Sequence, residues 1–273
     1  MNPRLLLVTG CLTAVIIGIA VWPKEKKGDH AAVAASVSTQ TAKKIYDQAN
    51  AFRKDSEILK AKEAYKKLLA DYPDFENIAQ AQRDLEDINL QILMTNVDSP
   101  QSVMHEVQTG DTLGKLAKVY GTTVELIKRR NNITNDTIRL GQRLSIWKGT
   151  FNIVVDKSQN TLLLMSNGDI IKRYTVSTGK DISQTPAGEF TITSKLVNPV
   201  WFHRGVVVPP ESPENVLGTR WLGFNVTGYG IHGTVDPNTI GSHETAGCVR
   251  LRNNEVEELY DLVKVGTPVV IIE

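Results

Sequence analysis

The stretches Phe151-Asn152-Ile153-Val154-Val155 and Thr161-Leu162-Leu163-Leu164-Met165 have the short apolar pattern that is typical of buried β-strands. Two more strand-like stretches, from Ile170 to Ser177 and from Glu189 to Ser194, follow them. The turns between them are predicted at Asn167-Gly168, Thr178-Gly179-Lys180 and Pro186-Ala187-Gly188. With one clear helix (Glu255 to Val263) and a last strand (Val265 to Ile272), residues 150–273 are predicted to form a mainly antiparallel β domain with one or two short helices.

The N-terminal stretch from Leu5 to Trp22 contains no charged residue. As a helix it would be ~27 Å long, close to the ~30 Å thickness of the hydrocarbon core of a membrane. The alternatives are a buried helix, a cleaved signal peptide, or a lipoprotein signal that is processed at Cys11. We expect residues 1–23 to be a membrane anchor or signal segment. Residues 5–22 then anchor the chain in the inner membrane, and the rest lies on the periplasmic side of the cell envelope.

Residues 24–40 are small and polar and are predicted to be a linker. Residues 41–95 show apolar side chains at steps of three and four, which predicts three short amphipathic helices, the second ending before Pro73. The stretch from Lys62 to Pro73 resembles a tetratricopeptide repeat. A spacer that packs on its neighbours and a groove for an envelope protein partner both fit this helical segment, so it is assigned no site.

After a second predicted linker (residues 96–102), residues 103–148 have the pattern of a β-α-α-β unit. A strand from His105 to Gln108 leads to a first helix that stops at Gly121, and Thr122 or Thr123 caps a second helix. The unit resembles a LysM module, which binds glycans containing N-acetylglucosamine. By this resemblance the glycan-binding residues are Gly110, Asp111 and Thr112. The alternative is a LysM fold that only spaces or docks the next domain.

The chain has two cysteines, and the other one, Cys11, lies in the apolar N-terminal stretch, so Cys248 is expected to be a free thiol. Cysteine becomes a good nucleophile when a base takes its proton, and His232 lies sixteen residues upstream at the end of a predicted strand. The backbone N–H groups of Gly247 and Cys248 are candidate donors to an oxyanion, since glycine permits close approach. The formal net charge of +1 gives no indication of nucleic acid binding.

Five motifs in residues 150–273 resemble, in order, those of the catalytic domain of the YkuD family of L,D-transpeptidases. They are Thr185-Pro186-Ala187-Gly188-Glu189-Phe190, Asn198-Pro199-Val200-Trp201, Glu214-Asn215-Val216-Leu217-Gly218, Tyr229-Gly230-Ile231-His232-Gly233-Thr234 and Gly247-Cys248-Val249-Arg250. The resemblance implies that Cys248 is the nucleophile, that His232 is the base, and that the carbonyl of Gly233 orients the histidine ring. It also places Arg250 near the site, where it holds the loop or a substrate carboxylate.

The same resemblance implies acyl transfer on peptidoglycan stem tetrapeptides, without a metal or an organic cofactor. Tyr229, Trp201, His243 and Thr245 are the expected substrate-binding residues, although Trp201 also suits a lid or a packing role. Members of the family often carry histidine where this chain has Ala246, and we expect His243 to replace it in part. The alternatives are a non-catalytic peptidoglycan-binding scaffold, an L,D-carboxypeptidase, structural roles for His232 and Cys248, and a zinc site formed with His243.

The sequence therefore predicts a multidomain protein, with an α-helical spacer, a β-α-α-β LysM module and a mainly antiparallel β catalytic domain.

Overall fold

The computed structural model describes residues 27–180, 182, 184–203 and 205–273, so the predicted anchor at residues 5–22 lies outside it. No helix within these ranges is both long enough and apolar enough to cross a bilayer. The chain divides into two compact units, Met1–Thr41 and Ala42–Glu273. All of the elements named below, apart from the first part of helix α1, belong to the second unit.

Three helices begin the described chain: α1 (Lys27–Lys54), α2 (Ile58–Asp71) and α3 (Ile78–Met94). The predicted linker at residues 24–40 is therefore wrong from residue 27 onward, and α1 is not a short helix. The stretch contains Ala31, Ala32, Ala34 and Ala35, and alanine has the highest intrinsic helix propensity of all residues. Helix α2 ends at Asp71, two residues before Pro73, as predicted.

The LysM region consists of β1 (Ser102–Glu106), α4 (Leu113–Tyr120), α5 (Val124–Arg130) and β2 (Arg143–Trp147). Gly121, at φ 70°, ends α4, and the Thr123 hydroxyl accepts a hydrogen bond from Leu126 N and caps α5. Strand β1 lies earlier than the predicted strand His105–Gln108. The reason is that Gln108 N donates to the carboxylate of Asp111 at 2.8 Å, so Gln108 already belongs to the following turn.

The described part of the C-terminal region contains twelve strands and one α-helix, besides a short 3-10 helix at Pro237–Thr239. They are β3 (Phe151–Asp156), β4 (Thr161–Ser166), β5 (Asp169–Thr175), β6 (Thr178–Gly179), β7 (Gly188–Val197), β8 (Trp201–His203), β9 (Val206–Val208), β10 (Arg220–Phe224), β11 (Gly230–His232), β12 (His243–Thr245), β13 (Val249–Arg250), α6 (Asn253–Leu262) and β14 (Pro268–Ile272). Eight of these strands form a sheet in the order β13-β11-β10-β7-β14-β3-β4-β5. Its pairs are antiparallel except β11 with β13 and β14 with β3, so the mainly antiparallel β prediction is confirmed.

Helix α6 packs on the β10–β11 end of the sheet through Val256, Leu259 and Leu262, which are buried. This burial fixes the end of the sheet where β11 and β13 lie side by side, with Ile231 opposite Val249 and His232 opposite Arg250. In this parallel register Cys248, the residue before β13, lies level with Gly230, two residues before His232 on β11.

Candidate active site

His232 is the last residue of β11, and Cys248 directly precedes β13. Because these two strands pair in parallel, both side chains reach the same cleft, which has a volume of about 570 Å³. Trp201, Thr245 and Arg250 also line it. Most of the other lining residues are apolar: Leu196, Pro199, Val200, Phe202, Val216, Leu217 and Trp221. The cleft therefore combines a thiol, an imidazole and a guanidinium with largely water-excluding walls.

The His232 ring is held in one orientation. Its Nδ1 lies 2.6 Å from the carbonyl oxygen of Gly233, and because a carbonyl can only accept, Nδ1 carries the proton. The unprotonated Nε2 is then the nitrogen that can accept a proton. The ring also stacks on Trp221, with 6.0 Å between ring centroids. The bond to Gly233 O is the one that the family resemblance implies.

Burial lowers the pKa of His232 to about 4, a decrease to which the positive charge of Arg250 contributes and which the carbonyls of Gly233 and Leu217 oppose. Burial likewise raises the pKa of the Cys248 thiol, although the backbone of Gly230 and the charge of Arg250 act in the opposite direction. The thiol donates to the carbonyl of Gly228 at 3.4 Å. Both shifts favour a neutral thiol and a neutral imidazole over a thiolate and an imidazolium.

The turn before Cys248 is fixed by Thr245, which is buried. Its hydroxyl donates to the carbonyl of Cys248 at 2.7 Å and accepts from the N–H of Gly247 at 3.2 Å. Gly247 has φ 120°, which L side chains rarely adopt. The predicted role of the Gly247 N–H as an oxyanion donor does not fit this arrangement, because that N–H already has an acceptor. The N–H of Cys248, by contrast, makes no hydrogen bond to any residue that the structure describes.

The Arg250 guanidinium lines the cleft and is half-buried. One of its terminal nitrogens donates to the hydroxyl of Thr239 at 3.1 Å, and its buried Nε has no hydrogen-bond partner among the described residues. Within the same part of the chain, no carboxylate forms an ion pair with it. Burial lowers the pKa of Arg250 from its usual value. The side chain is therefore a cation with donor capacity to spare.

Two of the predicted substrate-binding residues do not line this cleft. His243 is exposed and lines a separate pocket of about 280 Å³ together with Lys157, Thr178 and Glu273, and its Nδ1 lies 2.7 Å from the hydroxyl of Thr178. Tyr229 packs against the hydrophobic core. Its own N–H donates to Val226 O, as part of a turn. The other two, Trp201 and Thr245, line the cleft.

Two residues near His232 were not singled out from the sequence. Trp221 stacks on the ring, and the side-chain oxygen of Asn253 accepts from the N–H groups of Thr219 and Thr234. The sequence signal for Asn253 is its position at the start of a predicted helix, where asparagine commonly accepts backbone N–H groups. No signal in the sequence identified Trp221.

The predicted glycan-binding residues form one turn of the LysM region. Gly110 has φ 86°, and its carbonyl accepts from Lys115 Nζ at 2.7 Å. The carboxylate of Asp111 lies 2.9 Å from His105 Nε2, while the hydroxyl of Thr112 caps α4. The N–H of Gln108 and the ring of His105 lower the pKa of Asp111. In the described parts of the chain, no cluster of side chains is suited to bind a metal ion.

Two family models match the chain. A model described as the L,D-transpeptidase catalytic domain, YkuD, matches residues 150–271, and a model described as the LysM domain matches residues 105–147. The Bacillus subtilis (strain 168) protein YqjB, which bears an L,D-transpeptidase name, is 38% identical over 126 residues, or 44% of this chain and 70% of that protein. The Bacillus licheniformis protein YkuD, which bears the same kind of name, is 32% identical over 177 residues, or 62% of this chain and 98% of that protein.

Proposed function

The chain belongs to the L,D-transpeptidase family, as its motifs predicted, and we propose that it is a cysteine-dependent acyltransferase acting on the stem peptides of peptidoglycan. One observation carries the proposal: Cys248 and His232 line the same cleft, and the His232 ring is fixed with its proton on Nδ1. This is the tautomer that leaves Nε2 free to take a proton from a thiol.

In the first step, the sulfur of Cys248 attacks the carbonyl carbon of the third residue of a stem tetrapeptide, which has an L-centre. The thiol proton passes to Nε2 of His232 as the C–S bond forms. Because both groups are neutral beforehand, the proton moves during the attack rather than before it. A pKa of about 4 for His232 permits this, since the imidazole stays unprotonated at neutral pH and can act as a base.

The attack places a negative charge on the substrate oxygen. The Cys248 N–H is the candidate donor to this oxyanion, in place of the Gly247 N–H. The C–N bond to the terminal D-alanine then breaks, and the proton returns from Nε2 to the departing amine. The product is a thioester between Cys248 and the third residue of the stem.

Arg250 is suited to bind the carboxylate of the terminal D-alanine. Its Nε has no partner among the described residues, it lines the cleft, and burial strengthens a pairing between a guanidinium and a carboxylate. Such a contact selects a tetrapeptide, which ends in a free carboxylate at that position.

An acceptor then attacks the thioester, while His232 removes the proton of the acceptor. A side-chain amine of a second stem gives a cross-link between third residues, a lysine of a wall-linked protein gives an anchored protein, and water gives an L,D-carboxypeptidase. No step requires a metal ion or an organic cofactor.

A non-catalytic scaffold is the alternative from a different functional class. Ala246, which stands where the family often has histidine, is the residue that favours it. The exposed position of His243 in a separate pocket removes the nearest substitute for that histidine. However, the hydrogen bond between His232 and Gly233 O requires neither a histidine at position 246 nor His243. This supports the enzyme over the scaffold.

The LysM domain and the transpeptidase domain together support a location at the cell wall, outside the cytoplasm, with peptidoglycan as the ligand. We further propose that the turn Gly110–Thr112 binds the N-acetylglucosamine-containing glycan and that residues 5–22 anchor the chain in the inner membrane. An envelope protein bound to the helical segment stays a proposal without an assigned site.

The test is release of D-alanine from a disaccharide tetrapeptide by the whole chain. Cys248→Ala is expected to abolish release, while Cys11→Ala, the matched cysteine control, leaves it unchanged. Supplying a second tetrapeptide then distinguishes cross-linking from hydrolysis by the mass of the product. Release at the wild-type rate by Cys248→Ala would refute Cys248 as the nucleophile, and no release by the wild type would leave the scaffold.

A further inference from the structure

The side chain of Asn253, the first residue of α6, accepts two backbone hydrogen bonds near the active site. Its Oδ1 lies 3.0 Å from the N–H of Thr234 and 3.2 Å from the N–H of Thr219. One acceptor therefore joins the segment that follows His232 to the segment that enters β10.

The Thr234 N–H belongs to the same peptide unit as the carbonyl of Gly233. In a planar trans peptide the N–H and the C=O point in opposite directions, so fixing one fixes the other. Asn253 accepts a hydrogen bond from the N–H of this peptide unit. The carbonyl of the same unit accepts a hydrogen bond from Nδ1 of His232 at 2.6 Å. Donation from the N–H also polarises the unit, which makes its carbonyl a stronger acceptor.

The space around the Asn253 oxygen is kept free of side chains. A Cβ atom on Gly233 would lie 2.1 Å from it, and a Cβ atom on Gly218 would lie 2.3 Å from it. Both residues are glycine, and Gly218 also has φ 63°. The asparagine itself is held by α6, whose Val256 is fully buried in the core. The Asn253 oxygen is thus carried by a helix that is anchored in the core. It occupies a space that is open only because positions 218 and 233 are glycine.

We propose that Asn253 is a positioning residue, which fixes the tautomer and the orientation of the His232 ring through the Gly233–Thr234 peptide unit. Its consequence for catalysis rests on the function proposed above, but its effect on the ring does not. Without the Asn253 oxygen, the peptide unit can rotate, Nδ1 loses its acceptor, and Nε2 carries the proton in part of the molecules. Those molecules cannot accept the thiol proton.

The test compares Asn253→Ala with Asn254→Ala, the same change at the next residue, whose side chain is exposed and makes no hydrogen bond within the described residues. The ring nitrogens of His232 are observed by ¹⁵N NMR in the free, ¹⁵N-histidine-labelled chain and are assigned with His232→Gln. We expect one tautomer, protonated at Nδ1, in the wild type and in Asn254→Ala, and a mixture in Asn253→Ala.

Acylation of Cys248 by a carbapenem is the second readout. Asn253→Ala is expected to slow it about 10–100-fold, the range found when a residue that orients a metal-binding histidine is lost. Asn253→Asp keeps an oxygen acceptor of the same shape and is expected to restore most of the rate. An unchanged ring pattern in Asn253→Ala would overturn the proposal, even if acylation slowed through lost stability. Because the ring pattern is measured without substrate, it is independent of whether Cys248 is the nucleophile.

Loss of cooperative unfolding would show that Asn253→Ala is not properly folded. In that case Asn253→Asp provides the test of the proposal. A carboxylate that accepts hydrogen bonds from two N–H groups stays ionised. Its negative charge, next to the Gly233–Thr234 peptide unit, must raise the pKa of His232 above the wild-type value. Asn254→Asp must not raise it. The neighbouring charged groups Arg220, Arg250, Arg252 and Glu257 are the same in both variants. Equal pKa values of His232 in the two variants would overturn the proposal.

Discussion

At the scale of single residues, the protonation states of Cys248 and His232 determine how the proposed reaction starts. The cleft is lined mainly by apolar side chains, and burial favours the neutral form of both groups. The proposed mechanism therefore depends on a base that is ready to accept a proton, not on a thiolate that is already present.

The first prediction concerns the reactivity of the free thiol. Because burial raises its pKa, alkylation of Cys248 by iodoacetamide is expected to reach half its maximal rate above ~8.5, the ordinary value for cysteine. The rate as a function of pH, followed by mass spectrometry and compared with glutathione, measures this. A midpoint below 7 would show that a thiolate–imidazolium pair exists before substrate binds.

The second prediction distinguishes the two histidines. His232→Ala is expected to slow acylation by a carbapenem about 10²–10⁴-fold, because it removes the general base. His243→Ala is expected to cost about tenfold or less, through loop order or a secondary substrate contact, since His243 lies in a separate pocket. Stopped-flow fluorescence of Trp201 and Trp221, which line the cleft, records both rates. A larger effect of His243→Ala would reverse the assignment.

At the scale of helices and strands, Arg130 connects the LysM region to the helical segment. It is 1% exposed, and it donates to the carbonyls of Ile92 and Leu93, at 2.7 and 2.6 Å, and to the hydroxyl of Ser145 at 2.9 Å. Its charge lies at the C-terminal end of α3, where the helix dipole favours a cation. Burial lowers the pKa of Arg130 to about 10, so it stays charged at neutral pH.

The third prediction follows from these contacts. Arg130→Met keeps the apolar part of the side chain but leaves the helix-end carbonyls without donors, which is expected to lower the free energy of unfolding by about 1–3 kcal/mol. Arg129→Met removes an ion pair with Asp261 in which the arginine side chain is exposed, and it is expected to cost about 1 kcal/mol or less. Urea unfolding of the two variants gives the comparison, and equal losses would contradict the role of Arg130.

The helical segment also covers the edge of the catalytic sheet. Strand β5 is the last strand of the sheet, and Asn89 of α3 donates to its Ile170 carbonyl at 2.9 Å. Lys62 of α2 lies 2.7 Å from the carboxylate of Asp169 on the same strand. Covering an edge strand in this way prevents it from pairing with another chain. These contacts favour the spacer over the peptide-binding groove.

At the scale of the whole molecule, the sequence predicted the elements better than their packing. The strand pattern, the turn at Asn167-Gly168 and the caps of α4 and α5 depend on neighbours in the sequence, and the structure confirms them. The packing of α3 on β5 and the hydrogen bonds of Arg130 depend on residues dozens of positions apart, which no local pattern encodes.

The same distinction applies to the candidate site. Motifs identified Cys248, His232 and the Gly233 carbonyl, because these residues recur in a fixed order. They did not reveal that the Gly247 N–H is bonded to Thr245 or that His243 faces another pocket, since both depend on how β12 turns toward β13. The hairpin β8–β9, which contributes Trp201 and Phe202 to the cleft wall, was likewise not predicted as a pair of strands.

The fourth prediction concerns glycan binding by the whole chain. Gly110 and Gly168 both have φ 86° with open space around them, so valine strains the backbone equally at the two positions. In a Cys248→Ala background, Gly110→Val is expected to weaken co-sedimentation with purified sacculi, and Gly168→Val is not. Soluble N-acetylglucosamine oligomers are expected to reduce co-sedimentation only for chains in which the Gly110–Thr112 turn is unaltered. Equal co-sedimentation of the two variants would mean that the predicted LysM turn does not bind glycan.

The central claim is that Cys248 forms the acyl-enzyme, and intact-mass measurement after incubation with a carbapenem tests it most directly. The account predicts a single adduct per chain, mapped to the peptide that contains Cys248 and absent from Cys248→Ala. Cys11→Ala, the matched control, is expected to gain the same adduct as the wild type. An unmodified wild-type chain, or an adduct that persists in Cys248→Ala, would contradict the account.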